Sequence, residues 1–169
     1  MLRINVRYVY LIVFIAVTIP MIFQPNLPTV TSPSVEMLYK EIESLPRGSR
    51  VILSLDYDPS TEPELQPMAE AILRHCFRRG IRVFGMTMNL QGQNLGTKVF
   101  SKVAKAFHIP DDGTMYVYAG FRVGPVLLQM GEDIIETFQT DFVQRDLRSL
   151  PMMQGVKNLR DFELCISLS

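Results

Sequence analysis

The stretch Arg50-Val51-Ile52-Leu53-Ser54-Leu55-Asp56-Tyr57-Asp58-Pro59 constrains the chain more than any other. An apolar run of strand length stops abruptly at two carboxylates and a proline, and a helical pattern follows. That order predicts the first strand of a parallel α/β sheet, with Asp56 and Asp58 at its functional edge.

The rest of the chain supplies the alternation such a sheet needs. Val35, Leu38, Ile42 and Leu45 recur at helical spacing before the first strand, behind a cap at Ser32 or Ser34 and a proline suited to the first helical position. After it, Leu65, Met68, Ala69, Ile72, Leu73, Cys76 and Phe77 form a 3.6-period stripe. Thr61 and Glu64 have capping-box spacing ahead of that stripe, and Gly80 is placed for a left-handed cap behind it. Strands are predicted at Ile81 to Met88, Met115 to Ala119 and Glu163 to Leu168, the first reached by a right-handed parallel crossover. Further helices bury Leu95, Val99, Val103 and Phe107, then cover Val126 to Met130 and Glu132 to Phe138. Thr140 to Lys157, broken by Pro151 and Gly155, has no regular period. The expected domain is a Rossmann-like, three-layer α/β fold over residues 35–169, with about four mainly parallel strands. Because the last strand runs to Ser169 and informative loops follow strands, the domain is expected to be truncated at its C-terminus.

Residues 1–24 read as a cytoplasmic tip and a transmembrane anchor. Tyr8 to Phe23 carries no charge, follows Arg3 and Arg7, and precedes the next charge at Glu36. Though short of about 20 residues, it predicts a membrane partner through residues 6–23. The N-terminus would be cytoplasmic and the domain extracytoplasmic, at the plasma (inner) membrane. A cleaved signal peptide is the rival, but no small-residue cleavage site follows the run. Residues 25–34, with Pro25, Pro28 and Pro33, read as an extended linker.

Charge excludes one class of function. Lys plus Arg and Asp plus Glu are 17 each, so no bulk field recruits nucleic acid. Cys76 and Cys165 lack metal or redox spacing and read as buried thiols, pairing only if the fold brings their Cα atoms within about 7 Å. His75 and His108 have no ligand partners at metal spacing and read as surface or helix-end residues. The loops expected at the sheet's carboxyl edge carry Asp56 and Asp58, then Asn89 and Gln91, then Arg122 between two glycines. Together they form a candidate ligand site: the two aspartates suit Mg²⁺, and the arginine suits an anion.

Asp56-Tyr57-Asp58-Pro59-Ser60 resembles the opening motif of haloacid-dehalogenase-like phosphatases. That resemblance implies a nucleophilic aspartate, an acid/base aspartate and Mg²⁺, with Thr87, Asp111–Asp112 and Lys98 or Lys102 in the remaining roles. The spacing is compressed, and no strand immediately precedes Asp111. A second resemblance rests on Ser54 to Pro59, Met68 to Ala71, Met130 to Ile134, Pro151 to Val156 and Ile166 to Ser169. These are similar to a family of uncharacterised bacterial membrane-anchored proteins, which implies no activity and a longer chain. The expected function is a membrane-anchored binding or assembly module. The alternative is a metal-dependent hydrolase or phosphatase using Asp56 and Asp58.

Overall fold

The structure, a computed structural model, describes residues 5–23 and 31–169. Arg3 and the linker prolines Pro25 and Pro28 lie outside the described residues. The chain divides into two compact units, Met1–Met37 and Leu38–Ser169.

The first unit carries α1 (Val6–Phe23), with Pro20 inside it and nearly every large apolar side chain exposed. No helix among the described residues is long and apolar enough to cross a membrane. Arg7 leaves only Tyr8 to Phe23 free of charge, roughly 24 Å of helix at 1.5 Å per residue, against a hydrocarbon core of about 30 Å. The span expected over residues 6–23 is therefore too short as the helix stands.

In the second unit four strands form one all-parallel sheet in the order β3-β2-β1-β4. They are β1 (Arg50–Leu55), β2 (Arg82–Thr87), β3 (Tyr116–Phe121) and β4 (Leu164–Leu168). Alternation along β1 sends Val51, Leu53 and Leu55 to one face and Ile52 to the other, and both faces are covered. The first face packs against α2 (Pro33–Ser44), α3 (Glu62–Arg79) and α4 (Gln93–Ala106). On the second lie α5 (Val126–Glu132), α6 (Ile134–Phe138) and three single-turn 3₁₀ helices between Leu147 and Asp161. The chain thus winds from β1 outward through β2 to β3 on one face and returns over the other to place β4 on the far side of β1. β1 is the point where the winding reverses.

Local chemistry accounts for most boundaries. Gly80 closes α3 at φ 70°, its N–H donating to the carbonyls of Cys76 and Phe77. Thr61, by contrast, makes no capping side-chain bond to α3. Asp58 instead shapes the turn ahead of α3: its Oδ1 accepts from the N–H of Ser60 at 2.8 Å and of Thr61 at 3.3 Å. In β3 an extra residue bulges against β2 between Gly85 and Met86, and Gly120 takes φ 76° there. The segment expected to lack regular structure closes the outer edge of β3. Phe142 N–H donates to Tyr118 O at 2.8 Å, and Thr140 bridges Asp146. Asp141, 2% exposed, accepts from Arg145 Nε at 2.6 Å, and the same guanidinium reaches the Asp111 carboxylate at 2.7 Å.

α2 and α3 are joined by a polar contact that contradicts the expectation for His75. Its ring stacks on Tyr39 at 4.6 Å between centroids, and Nε2 lies 2.9 Å from Glu43 Oε1, with Arg79 behind. Chiefly the His75 hydrogen bond, against a desolvation penalty and helped by the Arg79 charge, holds Glu43 below the ordinary glutamate value of 4.5. A lowered native pKa stabilises the fold above the unfolded value, and that contribution is lost as pH falls through the native one. The stability difference between wild type and Glu43→Gln, present at neutral pH, is expected to close below pH 4.5 in melts run across the acid range.

The α4–β3 contact on the first face is close-packed. A Cβ at Gly96 would fall inside the Tyr118 ring and hydroxyl, and that hydroxyl donates to Gln93 O at 3.0 Å. Alanine would gain about 1 kcal/mol of helix propensity but cost about 1–3 kcal/mol in overpacking, so crowding wins. Gly96→Ala is expected to lower unfolding stability in urea, with partial recovery when Tyr118→Phe removes the hydroxyl.

Candidate functional site

Reversal of winding at β1 puts the carboxyl ends of β1 and β4 at the position where open α/β sheets take ligands. Asp56 stands there, one residue beyond β1. Its Oδ2 accepts from the hydroxyls of Ser54 at 2.6 Å and Ser167 at 3.1 Å, and its Oδ1 from the N–H of Met88 at 2.6 Å. The Asp56 N–H in turn donates to Leu168 O at 2.8 Å. One residue thereby ties the ends of β1, β2 and β4 together. Both carboxylate oxygens face donors of the protein itself, which is the geometry of a structural clamp.

The other predicted residues are engaged close to home. Asp58 accepts from Ser60 through both hydroxyl and backbone. The hydroxyl bond, more than the backbone ones, keeps its pKa below the ordinary aspartate range. Asn89 caps the 3₁₀ turn Leu90–Gly92 by accepting from the Gln91 N–H at 3.0 Å, while Gln91 itself is exposed. Arg122 turns away from Asp56: its guanidinium donates to Phe138 O and lies 5.8 Å from the Phe138 ring centroid. The sheet thus brings Asp56 next to the loop that bears Asn89 and Gln91 but sends Arg122 to α6.

The phosphatase constellation is not assembled either. Asp111 and Asp112 precede β3, at the amino edge of a parallel sheet, while Asp56 and Asp58 follow β1 at the carboxyl edge. Six-residue strands at about 3.3 Å per residue separate these edges by roughly 20 Å. Asp111 is held by Arg145, and Asp112 accepts from the Thr114 N–H. Lys102 is paired with Glu70 at 2.6 Å, and Thr87 is buried, folded back on the Asn89 backbone. Among the described residues no three His, Cys, Asp or Glu side chains gather as metal ligands. The position proposed for Mg²⁺ offers two carboxylates already turned to other donors.

Two hollows lie nearby. One of about 110 Å³ beside the carboxyl end of β3 includes Arg122, Gln93 and Gln144, well under the volume of an ordinary ligand pocket. The other, about 390 Å³ and open, runs between α3 and α4 past Glu62, Gln66, Glu70 and Lys102. Neither includes Asp56 or Asp58. Tyr57 is buried in the first-face core, its hydroxyl without a hydrogen-bond partner among the described residues, and desolvation first, then Glu62 and Glu70, pushes its pKa to about 12.

Sequence reasoning missed the surface that is exposed at this edge. β4 is an outer strand, so Cys165 and Ser167 face solvent on the side where the second-face helices do not reach, and Cys165 is not the buried thiol expected. Cys76 is buried as expected, and both thiols are free. No protein-family model, no curated protein and no solved structure matches the chain.

A structural clamp and a catalytic carboxylate respond oppositely to removal. Asp56→Ala is expected to destabilise the fold by about 1–3 kcal/mol, because buried Ser54 loses its partner, with Asp56→Asn milder since its amide oxygen still accepts. A residue serving only chemistry would be neutral or stabilising to remove. Urea unfolding of the full chain in mild detergent separates the two.

Proposed function

We propose that the chain is a membrane-attached α/β module that binds or assembles with a partner through the β4 side of its sheet. The observation that carries this reading is the outer edge of β4. Among the described residues it is unpaired, and Leu164–Leu168 contains no charge, proline or bulge, the devices that ordinarily blunt an edge strand. An edge of that kind accepts an added strand through main-chain hydrogen bonds. Attachment is assigned to α1, whose exposed apolar surface suits lipid rather than water. In this reading α1 holds the α/β unit at the inner membrane. Carboxylates spent on internal hydrogen bonds favour a binding role over the metal-dependent hydrolase.

Cys165 reports on this edge directly, because it is exposed while Cys76 is buried with its thiol pushed up to about 12 by desolvation. A photo-crosslinker placed on Cys165 of the full chain in native membranes is expected to give one discrete adduct, competed by unlabelled protein. Membrane fractions that hold the protein but yield no discrete adduct would sink the module reading.

A further inference from the structure

The loops after β2 and β3 carry large apolar side chains into solvent at one edge of the sheet. Leu90 is 66% exposed, Val123 78% and Leu128 75%, with Met88 and Leu127 also open. The two loops are pinned to each other where the Arg122 N–H meets Thr87 O at 3.4 Å. Between Met88 and Gly92 and between Phe121 and Leu128 the only charged residue is Arg122, and its guanidinium is turned inward onto Phe138 O. These side chains project from a 3₁₀ turn, a loop and the first turn of α5; none lies in the α3–α4 hollow.

We infer that this carboxyl-edge rim, led by Leu90, Val123 and Leu128, inserts into the interfacial zone of a phospholipid bilayer. The inference rests on the membrane attachment proposed above. Three observations select lipid as the occupant. Separate projecting apolar tips suit a fluid surface, which needs no matching relief, whereas a protein partner calls for a packed, complementary patch. The loops lack the basic clusters that read anionic lipid or nucleic acid, so the surface recognised is the apolar–polar boundary of zwitterionic lipid. Finally, the chain enters the α/β unit from that side. Within α2, Tyr39 stacks on His75 and Glu43 reaches Arg79, so Leu38–Ser44 runs alongside α3 from the carboxyl edge toward the amino edge. The Leu38 end of that segment therefore faces the edge bearing the rim.

Depth-dependent quenching tests this on the full chain. Bimane is attached to Leu128→Cys in a Cys165→Ser background, and a reference label to Lys105→Cys near the end of α4 at the amino edge. Both are mixed with phosphatidylcholine vesicles with and without nitroxide-bearing lipid. Insertion by about 5–10 Å is expected to cut the Leu128→Cys signal to roughly half or less and leave the Lys105→Cys signal unchanged. The effect should persist in high salt and be lost when Leu90→Ser and Val123→Ser are added. Vesicle binding with equal, small quenching at both labels would overturn the rim while leaving α1 attachment intact. No vesicle binding by the full chain would overturn the attachment, and the rim with it.

Discussion

Burial of β1 on both faces is the constraint from which the rest of the unit follows. A strand whose successive residues all leave water cannot carry a solvated face. It needs a helical layer above and below. The chain meets this by winding outward over one face to β3 and back over the other to β4. That reversal leaves the carboxyl ends of β1 and β4 side by side with their crossovers on opposite faces, where strand ends must be kept from splaying. Asp56 does so with donors from β1, from the residue after β2 and from β4.

The elements legible in the sequence are those whose signal is local. The stripe from Leu65 to Phe77 and the Gly80 cap gave α3, and the apolar run from Val51 to Leu55 gave β1, because periodicity and left-handed caps are properties of a few consecutive residues. What could not be read depends on partners far along the chain. The role of Asp56 is decided by Ser167, 111 positions later, and that of His75 by Glu43, 32 positions earlier. The position of β4 beside β1 rather than beyond β3 depends on which face the last crossover takes, and no short motif encodes that. Cys165 was read as buried for the same reason: alternation shows that a strand has two faces but not that one of them lacks a cover.

The segment from Thr140 to Lys157 shows how irregular sequence can still be specified. It has no period because it builds no helix or strand of its own length. Its order comes from buried polar groups: Asp141 accepts from Val143 N–H, Arg145 N–H and the Arg145 guanidinium, while Met152, Met153 and Leu150 fill the second-face core. An unpaired charge at the depth of Asp141 would cost several kcal/mol, so the turn and the arginine that neutralises it form as one piece. Sequence composition marks such a segment as loop; only the tertiary contacts show it to be a fixed cover.

That cover sharpens the contrast between the two outer strands. β3 has a bulge, a main-chain bond from Phe142 and a buried aspartate–arginine pair guarding its open side. β4 has a hydrogen-bonded clamp at one end and, along its outer side, nothing among the described residues. Both strands face the same hazard, since an unprotected row of N–H and C=O groups pairs with whatever extended chain it meets. A fold that places a buried ion pair to close one edge has the means to close the other, with a single lysine, proline or bulge in Leu164–Leu168. None of the three is present there.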